Sequence, residues 1–256
     1  MEKILEFDLL IFTFMDKLIA VCPWLNAIVP VITRGGEWVF WLIVGLVLLI
    51  PQKTRKIGIG MLCATFIRLP LNEALKDVIC RPRPFALFNP EIARQCIEGY
   101  VDTKGEFVKG WMKPEYLQQV KDNMAGFSPE FIQKWLAAYK YPYELGYHFS
   151  HGYSFPSGHT SAAFSGALGM LFMCKGKRQK LMGWCFTIFA CLVGLSRIYL
   201  HVHYATDVFG GIVVGLACGL AGFAIGTLIY NKIVIPLEEK IKARLTKFEA
   251  DMEKKS

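Results

Sequence analysis

Five stretches of this chain run almost without charged residues over roughly the 20 positions that a helix needs to cross a bilayer. They occupy residues 38–50, 57–75, 155–174, 181–200 and 208–230. The first is short unless it begins near Ile32. The pattern predicts an all-α, polytopic membrane helical bundle.

The N-terminal stretch, residues 4–32, is apolar but interrupted. Charge inside a membrane span is energetically expensive. The interruptions are Glu6, Asp8, Asp16, Lys17, Pro23 and Pro30. The stretch also lacks the basic start and the small-residue cleavage site of a removable signal peptide. It predicts either a sixth span or an interfacial helix followed by a short membrane-dipping segment, so we expect five to six transmembrane helices.

Composition and charge agree with a membrane protein. Of the 256 residues, 54% are hydrophobic, which is high for a soluble globule. The net charge is +8, and basic residues concentrate in loops 51–56 and 175–180 and after Asn231. Five spans place these segments on one side, which we predict to be the cytoplasm. The charge is therefore a topology signal and requires no nucleic-acid partner.

The opposite face contains most of the remaining polar residues. All five histidines lie on or near it, whereas histidines with structural roles alone would be scattered through the chain. They are His148, His151, His159, His201 and His203. Catalytic residues are therefore expected on this predicted extracytoplasmic side.

A first polar group ends the second apolar stretch, in "KDVICRPRP". Lys76 closes the stretch and Arg83 follows seven residues later, while Pro82 and Pro84 stiffen the exit by fixing φ. The two cations either extend to lipid headgroups or bind an anion. This segment alone leaves both interpretations open.

The second group is "FPSGH". Pro156 is suited to begin a helix, and Ser157 and Gly158 are then expected to leave backbone N–H groups open to an anion. Gly158 also permits an oxyanion to approach the backbone closely. The alternative is a simple helix start, but His159 at this position favours a functional site.

The third group is "SRIYLHVHYATD". Arg197 lies six residues before His203, which lies four before Asp207, so the last two side chains share a face if the segment is helical. Such a carboxylate accepts the imidazole N–H and leaves the other ring nitrogen free to attack. An outer loop with a surface ion pair is the alternative. His201 points elsewhere on a helix and is interpreted as a bystander.

Together the groups provide three cations, an open helix N-terminus and two histidines on one face, which favours phosphoryl transfer. They resemble the three-part signature of the type 2 phosphatidic acid phosphatase superfamily, which includes glucose-6-phosphatase and the vanadium haloperoxidases. The signature here reads Lys76-x6-Arg83-Pro84, Pro156-Ser157-Gly158-His159 and Ser196-Arg197-x5-His203-x3-Asp207. All three parts are intact and in the family's order, although they cover only about a tenth of the chain.

The resemblance implies a helical bundle and a two-step reaction that needs no metal or other cofactor. His203 would be the nucleophile that forms a phosphohistidine, and Asp207 would orient it. His159 would be the general acid for the leaving group and then the base for water. The phosphate would be held by Lys76, Arg83, Ser157, Gly158 and Arg197.

Residues 85–154 are predicted to form an extracytoplasmic cap. "YVDTKGEFV" predicts a hairpin, and residues 114–124 and 129–139 predict short helices, the second capped by Ser128. The aromatic stripe Phe131, Trp135 and Tyr139 is either local core or a contact for headgroups or a lipid tail. His148 and His151 are weaker candidates for substrate contact.

The expected organisation therefore has four parts. Residues 1–84 form membrane helices that end in the first motif, 85–154 the cap, 155–231 the helices with the catalytic motifs, and 232–256 a cytoplasmic amphipathic tail. Gly211, Gly215 and Gly219 predict close helix packing. Cys80 and Cys96 both face outward, so a disulfide between them is one alternative.

The predicted function is hydrolysis of a membrane lipid phosphate or diphosphate in a multi-pass protein of the bacterial cytoplasmic membrane. Family precedent suggests undecaprenyl diphosphate, phosphatidate or phosphatidylglycerol phosphate, and we rank the polyprenyl diphosphate first. The alternative is a phosphatase of a soluble phosphate ester, or a lipid phosphotransferase, using the same site. A non-catalytic receptor is disfavoured because His159, His203 and Asp207 are all present. The predicted partners are the lipid substrate and the bilayer, and the oligomeric state is left open.

Overall fold

The computed structural model of the chain describes residues 2–101, 107–110, 112–144 and 152–253. These residues form helices joined by short links, with one two-stranded hairpin, so the all-α prediction is confirmed at the level of fold class. The helices are α1 (Glu2–Val21), α2 (Leu25–Arg34), α3 (Trp38–Leu49), α4 (Gln52–Ile79), α5 (Pro90–Glu98), α6 (Glu115–Gly126), α7 (Pro129–Glu144), α8 (Gly158–Met173), α9 (Lys177–Tyr199), α10 (Ala205–Ile229) and α11 (Ile235–Glu253). A 3₁₀ turn covers Pro84–Ala86, and a π-helical turn at Tyr230–Val234 joins α10 to α11.

Five helices, α3, α4, α8, α9 and α10, coincide with the five apolar stretches. By length and composition, two helices in the described residues are suited to cross a membrane: Lys177–Tyr199 and the continuous Ala205–Glu249. The pair α2 and α3, bent by 61°, would add a third. The other two fall short because α8 has only 16 residues and α4 contains charged residues such as Arg68 and Glu73. Five or six spans therefore stay a prediction.

The N-terminal stretch is not one continuous helix. Helix α1 ends at Val21, and α2 begins only at Leu25, after a turn that contains Pro23. Helix α1 packs through Phe12 against Trp135 of α7 and against the link between α9 and α10. It also brings the fully buried Asp8 to that end of the bundle.

Glycines allow α10 to pack closely on α8, as the sequence predicted. A Cβ added at Gly211 would lie 2.8 Å from the carbonyl oxygen of Ser157, and one at Gly215 would lie 2.4 Å from Cβ of Phe164. A Cβ at Gly219 would lie 2.9 Å from Cβ of Leu168. Close approach of this kind is typical of small residues in helix interfaces. It holds the beginnings of α8 and α10 side by side, and both carry site residues.

The described part of residues 85–154 has the predicted elements. Strands β1 (Gly99–Val101) and β2 (Phe107–Lys109) pair in antiparallel fashion, and α6 and α7 lie at the predicted positions. Ser128 caps α7 by accepting a hydrogen bond from the Phe131 N–H at 3.2 Å. The segment docks on the exit of α4, because Nε1 of Trp135 donates to the Pro84 carbonyl at 3.1 Å. Its role as a cap stays a prediction.

The aromatic residues of α7 form local core. Trp135 is 1% exposed, and its ring packs against those of Phe12, Phe88 and Tyr204. Phe131 stacks on Phe127 beside it. The core interpretation is therefore confirmed for these two members of the stripe. The side chain of Tyr139, and residues His148 and His151, lie outside what the structure describes.

The three basic segments meet at one end of the bundle. Arg55 forms an ion pair with Glu238 of α11, and Nε2 of Gln179 donates to the Lys53 carbonyl at 3.1 Å. The opposite end carries the site residues. All eight cysteines are free thiols, so Cys80 and Cys96 do not form the disulfide that the sequence left open.

Candidate active site

His203 lies at the centre of the site, in the turn between α9 and α10. It is 2% exposed. Its Nδ1 lies 3.4 Å from Oδ2 of Asp207 and 3.4 Å from Oγ of Ser154. Its Nε2 lies 3.2 Å from Nη1 of Arg83. The two ring nitrogens therefore face opposite kinds of group, a carboxylate and a cation.

These neighbours determine the tautomer of His203. A guanidinium donates hydrogen bonds and accepts none, so the nitrogen that faces Arg83 must carry the lone pair. The proton then lies on Nδ1 and points to Asp207, as the spacing of the two residues predicted. This leaves Nε2 as a nucleophilic nitrogen directed at the cations.

Asp207 lies at the first turn of α10, fully buried in a network of donors. Its Oδ2 accepts hydrogen bonds from the Ser154 hydroxyl and from the Tyr204 N–H, the latter at 3.0 Å. Its Oδ1 pairs with Nη1 of Arg81 at 2.6 Å. A carboxylate held on both oxygens has little freedom to rotate, so it fixes the imidazole ring as well.

Arg81 links this network to the N-terminal helix. Its Nη2 lies 3.3 Å from Oδ2 of Asp8, and its guanidinium packs 3.8 Å from the ring centre of Tyr204. One guanidinium thus serves two fully buried carboxylates, Asp8 and Asp207. The alternative interpretation of this segment, an outer loop with a surface ion pair, is wrong because His203 and Asp207 are both buried.

The three predicted cations turn inward. Arg83 is 4% exposed, and it donates to the carbonyls of Gly152 and Val202 at 2.8 and 2.9 Å. Arg197 is 6% exposed, and its Nη1 donates to Oγ1 of Thr33 at 2.7 Å. The Lys76 side chain is 14% exposed and pairs with Glu73 at 3.1 Å. Extension of Lys76 and Arg83 to lipid headgroups is therefore excluded in this conformation.

The start of α8 differs in part from the expectation. Ser157 is the N-cap, and its Oγ accepts hydrogen bonds from the backbone N–H and the hydroxyl of Thr160. Its own N–H is not open, because it donates to the Asp207 carbonyl at 3.0 Å. The N–H groups of Gly158 and His159 come next and have no acceptor one turn earlier within the helix. These two amides, instead of Ser157 and Gly158, are the ones available to an anion.

His159 packs closely against a glycine. A Cβ added at Gly36, in the link between α2 and α3, would lie 2.5 Å from Cβ of His159 and 2.8 Å from Cγ1 of Val193. His159 lies within Coulombic range of His203, Arg197, Arg83 and Lys76. The structure therefore brings both predicted histidines and all three predicted cations to one site.

Burial changes the protonation of the two histidines in the turn. Desolvation, and after it the charges of Arg83 and Arg197, lower the pKa of His203 well below its usual 6.5. Desolvation lowers the pKa of His201 to about 4. His201 turns away from the site and lies 3.4 Å from Oδ1 of Asp16 on α1, which agrees with its interpretation as a bystander.

Sequence reasoning missed several residues of the site. Arg81 and Ser154 hold Asp207, Gly36 packs closely against His159, and Arg68 and Asn72 lie beside Gly158. The last two have a signal in the sequence, since Arg68, Asn72 and Lys76 recur every four residues and so share one face of α4. No group of three or more residues suited to a metal occurs among the described His, Cys, Asp and Glu residues.

A family model described as "PAP2 superfamily" matches residues 53–230, well over half of the chain. The chain belongs to the PAP2 superfamily. This match covers α4 to α10 and includes every residue of the three motifs. Helices α1 to α3, which supply Asp8, Thr33 and Gly36, lie before it.

Several proteins of similar sequence are named as enzymes that act on lipids. An undecaprenyl-diphosphatase of Sulfolobus acidocaldarius is 27% identical over 191 residues, which cover 75% of this chain and 66% of that protein. Undecaprenyl-diphosphatase BcrC of Bacillus subtilis is 37% identical over 100 residues, or 38% of this chain and 49% of that protein. Phosphatidylglycerophosphatase B of Bacillus subtilis is 36% identical over 96 residues, which cover 35% of this chain and 41% of that protein. The matched segments thus span about two fifths to two thirds of these relatives.

A crystal structure of a transmembrane PAP2-type phosphatidylglycerolphosphate phosphatase from Bacillus subtilis shares the fold. The TM-score is 0.55 at 24% identity, and the match covers 91% of this chain and 89% of the other. At this identity the likeness supports the fold and not the substrate.

Proposed function

We propose that this PAP2 protein is a membrane phosphatase that removes the terminal phosphate of a lipid diphosphate through a phosphohistidine on His203. The observation that carries the proposal is the placement of His203. Its proton is held on Nδ1 by Asp207, and its Nε2 lies 3.2 Å from Arg83. A nucleophile directed at a cluster of buried cations is suited to attack an anionic phosphorus centre.

The first step transfers the phosphoryl group. Nε2 of His203 attacks the terminal phosphorus, an N–P bond forms, and the bond from phosphorus to the leaving oxygen breaks. Protonated His159 gives its proton to that oxygen. Lys76, Arg83 and Arg197 neutralise the nonbridging oxygens, and the N–H groups of Gly158 and His159 donate hydrogen bonds to them, which stabilises the charge that builds up in the transition state.

The second step restores the enzyme. His159, now neutral, accepts a proton from water as the water oxygen attacks phosphorus. The N–P bond breaks, the electron pair of that bond returns to Nε2, and inorganic phosphate leaves. Asp207 stabilises the imidazole throughout by holding Nδ1–H. No step in this sequence requires a metal ion.

A lipid substrate is supported by the surroundings of the site and by the relatives. The bundle is apolar, and helices suited to cross a membrane carry Arg197 and Asp207 at their site ends. Among the named relatives, two are undecaprenyl-diphosphatases and one is a phosphatidylglycerophosphatase. We rank a polyprenyl diphosphate first, ahead of phosphatidate and phosphatidylglycerol phosphate.

The proposed topology is a multi-pass protein of the bacterial cytoplasmic membrane with its site on the extracytoplasmic side. Support comes from the basic segments, which meet at the end of the bundle opposite the site. Residues 85–154 then cover the extracytoplasmic end, between the membrane helices of residues 1–84 and 155–231. The tail, residues 232–256, lies in the cytoplasm.

The test is phosphate release by the purified protein in detergent with a chelator present. The substrates are polyprenyl diphosphate, polyprenyl phosphate, phosphatidate, phosphatidylglycerol phosphate and a sugar phosphate. We expect release from the lipids, fastest from the diphosphate, and its loss in His203→Ala but not in His201→Gln. Release from the sugar phosphate alone would favour the soluble-ester alternative. A requirement for added metal, or full activity of His203→Ala, would contradict the mechanism.

A further inference from the structure

A cavity of about 350 Å³ lies directly beside His159. Helix α4 lines one side of it, and the link between α2 and α3 and the start of α8 line the others. The polar residues around it are Glu37, Arg68, Glu73, Lys76 and His159. Lys76, Gly158 and His159 of this cavity already have roles in the proposed phosphoryl transfer, whereas Arg68 has none and needs a separate explanation.

Arg68 is the buried charge of this cavity. It is only 6% exposed, although a guanidinium in the interior is costly unless it is paired. Its Nη1 donates to the Gly158 carbonyl at 3.1 Å, an oxygen that also accepts from the Ser161 hydroxyl at 3.0 Å. Its Nε has no hydrogen-bond partner in the described part of the chain. Bonding to Gly158 therefore does not account for a whole guanidinium at this depth.

The carboxylates around the cavity do not neutralise Arg68. Glu37 and Glu73 are both exposed, and Glu73 pairs with Lys76 at 3.1 Å. Among the described residues Arg68 forms no ion pair, although Glu73 lies within Coulombic range. The lining of the cavity thus contains one buried cation, Arg68, and two exposed carboxylates. A buried anion would complete the charge balance.

The space in front of Gly158 is surrounded by donors. A Cβ placed there would lie 3.5 Å from Nδ2 of Asn72, 3.7 Å from Nζ of Lys76 and 3.9 Å from Nη1 of Arg68. All three side chains come from one face of α4. Lys76 is already assigned to the transferred phosphoryl group, so Arg68 and Asn72 are the donors left for the oxygens of a second phosphate beside it.

The position of the cavity relative to His159 identifies which phosphate this is. In an in-line displacement the leaving group departs on the side opposite the nucleophile. His159 protonates the leaving oxygen, so the leaving group lies on the side of His159, where the cavity is. A lipid monophosphate releases a neutral alcohol there, whereas a lipid diphosphate releases a phosphate monoester. Only the second leaving group is charged.

We infer that Arg68 binds the inner, chain-linked phosphate of a lipid diphosphate and so makes the enzyme prefer diphosphates over monophosphates. The inference rests on the proposed phosphatase function and adds a residue that discriminates between its substrates. Arg68 touches the leaving group and not the transferred phosphoryl group, which Lys76, Arg83 and Arg197 hold. Its removal therefore affects the two substrate classes unequally.

The experiment compares farnesyl diphosphate with farnesyl phosphate, two substrates with the same chain. We measure kcat/KM for phosphate release by the full chain in detergent with chelator, for the wild type, Arg68→Gln and Arg68→Lys. We expect Arg68→Gln to lose about tenfold or more on the diphosphate and about twofold or less on the monophosphate, because a charge-assisted hydrogen bond is lost. Arg68→Lys should recover part of the loss. The control is Arg55→Gln, which removes a cation from the other end of α4 and should change neither value.

Each outcome has a defined meaning. Equal losses on both substrates would show that Arg68 only supports the start of α8, and no loss on either would show that it does not bind substrate. Both results overturn the inference and leave the phosphatase function intact. A wild type active on the monophosphate alone would overturn the diphosphate preference as well, and a wild type inactive on both would overturn the proposed function itself.

A second measurement uses only the wild-type protein and does not depend on whether a variant folds. Methylenebisphosphonate carries two linked phosphonates and resists hydrolysis, whereas methylphosphonate carries one. We expect the first to inhibit wild-type phosphate release at a concentration about tenfold lower than the second. Equal inhibition would overturn the inference even if Arg68→Gln failed to fold.

Discussion

Nη1 of Arg81 lies 2.6 Å from Oδ1 of Asp207, so an ion pair holds the carboxylate that faces His203. The same guanidinium reaches Asp8, whose Oδ2 lies 3.3 Å from Nη2. Asp8 belongs to α1, outside the residues that the family model matches. The N-terminal helix is thereby connected to the proposed nucleophile through two buried carboxylates and one cation.

Arg81→Gln should reduce kcat about tenfold or more and leave KM nearly unchanged, because Arg81 positions the carboxylate that orients the imidazole and does not itself contact the substrate. Without the cation, Asp207 and Asp8 are two buried carboxylates that repel each other, so Asp207 no longer holds Nδ1–H firmly. Arg81→Lys should recover part of the activity. The measurement is steady-state phosphate release from a lipid diphosphate.

A second substitution separates this role from simple stability. In Arg81→Gln/Asp8→Asn one of the two repelling charges is removed, so part of kcat should return. If the double variant were no more active than Arg81→Gln while both melted at the wild-type temperature, the coupling of Asp8 to the site would be refuted.

Gly36→Ala should reduce kcat about 100-fold, the scale of loss expected when a catalytic group is displaced by about 1 Å. The new methyl group would lie 2.5 Å from Cβ of His159, so the imidazole must shift. The control is Gly126→Ala, where a Cβ meets nothing within 4 Å. The two variants are compared by kcat and by thermal melting. Wild-type kcat in Gly36→Ala would show that the position of His159 does not limit the reaction.

Some of this site was predictable from the sequence, and the reason lies in how its residues are spaced. Lys76, Arg83, His159, Arg197, His203 and Asp207 occur in short motifs at the ends of apolar stretches, so their shared face followed from helix lengths. Gly158 was identified in the same way. The open N–H assigned to Ser157 was wrong, because the Asp207 carbonyl takes it, and this contact depends on how α8 packs against α10.

The contributions of the first three helices were not predictable. Asp8 was interpreted as a charge that interrupts a span, whereas the fold buries it against Arg81. Gly36 lies in a short link with no motif around it, and its contact with His159 depends on the bend between α2 and α3. Arg68 was hidden inside an apolar stretch, although its four-residue spacing from Asn72 and Lys76 is a usable signal.

The imidazole of His203 should stay neutral well below pH 6.5. Its pKa is lowered by burial and by Arg83 and Arg197, so the neutral, nucleophilic form is present above that lowered pKa and is lost only in more acidic solution. The measurement is a ¹⁵N NMR titration of the histidine-labelled protein in detergent, assigned with His203→Asn. We expect its ring nitrogens to show the neutral Nδ1–H form at pH 5.5. A titration midpoint near 6.5 would contradict the burial and charge environment described for the site.

Trapping the phosphorylated enzyme identifies the nucleophile directly. The protein is mixed with a lipid diphosphate labelled in its terminal phosphate, quenched in alkali within milliseconds, digested, and mapped by mass spectrometry. We expect an alkali-stable, acid-labile phosphate on His203 that is absent from His203→Ala. Hydrolysis by the wild type with no label on any histidine, or a label on His159 or His201 instead, would contradict the assignment of His203 as the nucleophile.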